Sequence, residues 1–125
     1  MRLGVAVLGL AVVCGACASS AKPPAAAHAE MREGVMAAQR GYWQEALFRF
    51  ERARSADPKD AEILNNLAVA FEALGRYDEA LSTYKQALQD TPKSSVIRKN
   101  YARFAEFYTS YAKGVKPKDG SDAPR

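Results

Sequence analysis

The chain repeats itself at an offset of 34 residues without a gap, and this self-similarity restricts the fold more than any other feature of its 125 residues. Gly41 is matched by Gly75, Glu45 by Glu79, Ala46-Leu47 by Ala80-Leu81, Phe50 by Tyr84, Ala53 by Ala87 and Pro58 by Pro92. A unit of that length cannot bury an apolar face alone, so neighbouring units must stack. Each matched position has a physical task. Gly41 and Gly75 stand where a helix must reverse, and glycine takes positive φ there without a Cβ penalty. Ala46 and Ala80 suit a helix contact too close for a larger side chain, while Phe50 and Tyr84 fall on the buried stripe of the same helix. Pro58 and Pro92 cannot continue a helix, and Asp60 with Ser94 or Ser95 follow them as N-caps. The pattern predicts helices over 28–40, 42–55, 61–74, 77–90 and 95–112.

The blocks Gly41-Tyr-Trp-Gln-Glu-Ala-Leu-Phe-Arg-Phe50 and Gly75-Arg-Tyr-Asp-Glu-Ala-Leu-Ser-Thr-Tyr84 resemble the second half of a tetratricopeptide repeat. The resemblance implies an all-α fold, a short right-handed solenoid of helix-turn-helix units. Two repeats, 27–60 and 61–94, would be closed by a capping helix at 95–113, making a domain over 28–113. The first helix departs most from the family, with Glu33 where Leu is usual, although Gly34 fits the small position beside it. In the last helix Ile97, Tyr101, Phe104, Tyr108 and Tyr111 form an apolar stripe expected to pack on the helix around Tyr84.

The first residues run Met1-Arg2, then apolar from Leu3 to Val13, then Cys14-Gly-Ala-Cys17-Ala-Ser-Ser20. A charged start, an apolar stretch and a small-residue site make a secretory signal, too short for the roughly 20 residues of a membrane span. Gly15-Ala16-Cys17 resembles a bacterial lipobox, with Cys14 where an aliphatic residue is usual. That resemblance implies a signal peptide at 1–16, lipidation at Cys17 and sorting to the outer membrane, since no Asp follows the cysteine. A plain cut at Ala16-Cys17-Ala18 would instead leave a soluble periplasmic protein. Residues 17–27 read as a flexible tether and 114–125, rich in Gly, Pro, Lys and Asp, as a disordered tail.

Nothing in the sequence reads as catalysis. Cys14-x-x-Cys17 has redox and metal spacing but lies inside an apolar signal, and only His28 could add a ligand, short of a structural zinc set. His28 is better placed as a solvated residue than as a general base, Glu62, Glu72 and Glu79 read as surface charges, and no phosphate loop occurs. No enzyme, metal or cofactor is expected. The formal charge of +4, about +3 without Arg2, is spread among acids, unlike a nucleic-acid-binding face. Neither nucleic acid nor a small-molecule substrate is therefore an expected partner.

Family resemblance also implies a concave groove, lined by the first helix of each unit, that takes a segment of a partner protein. Mapped residue by residue, it comprises Met31, Val35, Ala38 and Gln39, then Glu62, Asn65, Val69 and Glu72, then Val96, Lys99, Arg103 and Glu106. The subtype that clamps a C-terminal carboxylate is disfavoured, because Met31 and Val35 stand where it has Lys and Asn, although Asn66 and Asn100 match partly. The resulting expectation is a lipid-anchored adaptor or assembly factor in the bacterial cell envelope, facing the periplasm from the outer membrane and binding another envelope protein. The alternative is an envelope-polymer binder using Lys113, Lys116 and Lys118. Val69 and Arg103 are expected to contact the partner without being needed by the core.

Overall fold

A computed structural model describes residues 24–114 of the chain. They form five helices in series: α1 (Pro24–Gln39), α2 (Trp43–Ala56), α3 (Ala61–Ala73), α4 (Tyr77–Asp90) and α5 (Ser95–Ala112). α1 packs on α2 and α3 on α4 as hairpins, which stack through α2 on α3, and α5 closes the row against α4. The result is an all-α solenoid. The signal segment with Cys17, the tether up to residue 23, and all but Gly114 of the expected tail lie outside the described residues.

α1 begins at Pro24, whereas the sequence pattern placed its start at His28 and assigned 24–27 to the tether. The cause is local: proline is preorganised for a first helical position, and three alanines, the best helix formers, follow it. Ala27 is fully buried, so this extra turn belongs to the core. The other starts agree closely with the repeat pattern. Asp60 caps α3 by accepting from the backbone N–H of Glu62 at 2.8 Å and of Ile63 at 3.0 Å, and Ser94 accepts from Ile97 N–H at 3.4 Å.

Both hairpin turns close in the same way. Gly41 and Gly75 adopt φ of 79° and 72°. The Gly41 N–H donates to the Ala38 carbonyl and the Tyr42 N–H to Ala37; the Gly75 N–H donates to Glu72 and the Arg76 N–H to Phe71. This pair of bonds satisfies the last carbonyls of α1 and α3 and turns the chain back on itself.

Ala46, Ala53, Ala80 and Ala87 have no exposed surface, and Phe50 and Tyr84 fill the core between them. Gly34 is the small position opposite Phe50: a Cβ added there would lie 2.5 Å from the ring's Cε1. Glu30 of α1 ties the first hairpin by pairing with Arg49 at 3.2 Å and Arg52 at 2.7 Å on α2. Between α4 and α5 the contact is aromatic. Tyr84 lies 5.8 Å from Phe104 and 6.3 Å from Tyr101, centroid to centroid, and Tyr77 packs edge-on against Phe107 and Tyr111. The stripe foreseen on α5 is therefore the packing face, joined by Phe107, although Tyr111 stays 55% exposed.

Candidate functional site

Stacking the hairpins places α3 beside α5 and leaves a cleft of about 460 Å³ between their first turns. Glu62, Asn65 and Asn66 line it from α3, Val96 and Ile97 from α5, with Thr91 and Ser94 from the connecting turn. Val96 is 63% exposed, an apolar side chain held at the rim by the helix that Ser94 caps. The floor is polar and satisfied. Asn100 Nδ2 donates to Asn65 Oδ1 at 3.0 Å, joining half-buried Asn100 of α5 to buried Asn65 of α3.

Farther along the same two helices lies a carboxylate with two partners. Glu72 is 2% exposed; it accepts a hydrogen bond from the Tyr84 hydroxyl, and the Arg103 guanidinium stands 3.3 Å from its Oε2. Burial pushes the Glu72 carboxyl above the usual carboxylate range, while the bonds from Tyr84 and Arg103 work against that rise. Burial, followed by the bond to Glu72, also pushes the Tyr84 hydroxyl well above its ordinary value. Arg103 itself is half exposed.

Several expected groove residues fall elsewhere. Met31 is core, 8% exposed, because it shares the buried stripe of α1 with Ala27 and Gly34 at helical spacing. Glu72 is core as well and not a surface charge, since α4 and α5 close over it. Arg103 is its counter-charge, which corrects the expectation that the core does not need this arginine. Val35 and Val69 are half-buried at the edge of the core. Gln39 is exposed in the last turn of α1, and Glu106 is exposed on α5. Lys99 lines a second cleft with Arg98 on another side of α5. His28, expected to be solvated, is half-buried and pairs with Asp60 at 3.2 Å. The pattern named Asn100 only as a partial match to the carboxylate clamp and missed its bond to Asn65, as it missed the role of the Tyr84 hydroxyl. Among the described residues no three His, Cys, Asp or Glu side chains converge as a metal site, and no helix is long and apolar enough to cross a membrane.

Curated proteins similar to this chain are named for assembly. It is 30% identical over 99 residues to the photosystem I assembly protein Ycf3 of Synechococcus sp. strain CC9902, a match covering 77% of this chain and 57% of that protein. The Ycf3 of Synechococcus sp. strain WH7803 is 35% identical over 59% of the chain and 44% of the relative. The Ycf3 of Prochlorococcus marinus strain SARG is 35% identical over 55% and 42%. The chain spans about half the length of the curated relatives it matches. These relatives overturn the expected cell-envelope function and the expected outer-membrane location, because photosystem I assembly is neither. The lipobox resemblance occupies only a few small residues, a pattern of far lower information than the repeat register. The family model described as tetratricopeptide repeat matches residues 37–104, which takes in α2, α3 and α4 whole and α5 as far as Phe104. With its two hairpins, their glycine turns and the closing helix, the chain belongs to the tetratricopeptide repeat family.

Proposed function

We propose that this chain is a protein-binding assembly factor that holds one segment of a partner polypeptide in the cleft between α3 and α5. The observation that carries this reading is the cleft's composition. Its floor is braced across the two helices by the Asn65–Asn100 amide bond, Asn66 and Thr91 add peptide-like hydrogen-bonding groups, and Val96 is held exposed at the rim. Such a surface suits a polypeptide, since amides and hydroxyls can meet main-chain groups while the rim takes an apolar side chain. The names of the relatives support the same class of work, and a photosystem subunit is the partner those names put forward. No step of this function requires a nucleophile or a metal.

The test is photocrosslinking in cells, with a benzophenone side chain placed at Val96 or, on the exposed face of α4, at Lys85. One defined protein adduct from Val96 and none from Lys85 is the expected result. Adducts equally strong from both positions, or none from Val96, would overturn the assignment of the cleft.

A further inference from the structure

The 34-residue register continues into α5, where it exposes a face that both preceding units cover. Gly34 of α1 meets the ring of Phe50 on α2. One unit on, Ala68 of α3 is fully buried, as are Leu64 and Leu67 beside it, on the helix that pairs with α4. One unit further, the same positions are Arg98, Tyr101 and Ala102. Here Ala102 and Arg98 are exposed, and with Leu88 of α4 they border a cleft of about 610 Å³. Position for position this is the seat that α2 and α4 occupy in their own units, and it faces away from the α3–α5 cleft. Residues 115–125 do not carry the pattern of an occupant, since Lys118 falls where Phe50 and Tyr84 stand and Pro117 precedes it.

We infer that the face of α5 around Ala102 seats a helix donated by another protein, acidic overall and carrying a small residue four positions before an aromatic one. The small residue and the aromatic ring come from the two filled copies, in which Ala46 precedes Phe50 and Ala80 precedes Tyr84. The acidic charge comes from the seat. Arg98 replaces the apolar Leu64 and Lys99 replaces Asn65, both at the border of the cleft, so an incoming helix meets two cations where α3 carries a leucine and an asparagine. α4 itself has this character, with Asp78, Glu79 and Asp90 against Lys85, whereas α2 carries Glu45 and Glu51 against Arg49, Arg52 and Arg54. This surface is independent of the proposed partner cleft, and Ala102 and Val96 can be altered separately.

The probe is a fluorescent, stapled peptide with the α4 sequence, residues 77–90, titrated into the full chain, with the α2 sequence, residues 43–56, as comparison. Saturable binding of the α4 peptide is expected, weaker binding of the α2 peptide, and a loss of at least about tenfold with Ala102→Arg. Because Ala102 is exposed, that variant should keep its helicity, and Arg98→Glu gives a second reading by reversing the preference between the two peptides. No saturable binding at millimolar peptide, or binding undiminished in Ala102→Arg, overturns the proposal. So does concentration-dependent self-association that Ala102→Arg abolishes, which would make a second copy of this chain the occupant.

Discussion

Arg103 on α5 reaches across to Glu72 on α3, 3.3 Å from a carboxylate that is almost wholly buried, so a half-exposed cation is the counter-charge of the core. Removing one partner of a buried pair leaves the other uncompensated, at about 3–5 kcal/mol where both are buried. Arg103 is half exposed and Glu72 keeps its bond from Tyr84, so Arg103→Met should cost less, roughly 1–2 kcal/mol by the same reasoning. Arg103→Glu should cost more, by placing a second carboxylate beside the first. Urea unfolding followed by circular dichroism checks the order. If Arg103→Glu were as stable as the native chain, the pair would not support the fold.

The buried carboxyl also gives the fold a pH dependence. Burial raises the Glu72 pKa above its ordinary value, so the folded chain holds that proton more tightly than the unfolded chain does. Between the unfolded pKa and the higher folded one, the folded state binds more protons, and raising the pH through that window removes stability. Glu72→Gln has no such proton. The midpoint of the native chain relative to Glu72→Gln should therefore fall as pH rises from about 4, near the unperturbed glutamate value. Thermal melts of both proteins across this range measure the difference, and a constant or rising difference would contradict the burial argument.

Gly34 should resist even alanine. Alanine gains up to about 1 kcal/mol over glycine inside a helix. Against this, its Cβ would stand 2.5 Å from Phe50 Cε1 and 2.7 Å from Cδ1, and that ring is 2% exposed with little room to move. Overpacking of this kind costs roughly 1–3 kcal/mol, so we expect Gly34→Ala to lower the melting temperature and Gly34→Ala with Phe50→Leu to recover part of the loss. A more stable single variant would show that α1 and α2 are farther apart than described.

The hairpins were legible in the sequence because their determinants are local: a glycine at positive φ, a capping Asp60 or Ser94, and an alanine four residues before an aromatic ring. The burial of Glu72 depends on α5, some thirty residues away, and the register alone assigns a face without its depth. A signal was nevertheless present. Between the two units Phe50 becomes Tyr84 and Ala38 becomes Glu72, so a hydroxyl and a carboxylate appear together at positions that prove to be in contact. Asn100 was harder to read, since its partner Asn65 lies on another helix one residue out of the 34-residue register. The start of α1 was misplaced because the Pro-Pro-Ala run also suits a tether, and only the burial of Ala27 distinguishes the two.

Whether the α3–α5 cleft holds a partner segment is tested most directly by affinity. The segment crosslinked from Val96, made as a synthetic peptide, should be titrated by calorimetry into the native chain, Val96→Asp and Lys85→Glu. Both substituted side chains are exposed, so helicity should be unchanged in each. We predict that Val96→Asp weakens binding at least about tenfold, or roughly 1.4 kcal/mol, while Lys85→Glu leaves it within twofold. Equal affinity of the native chain and Val96→Asp would contradict the account.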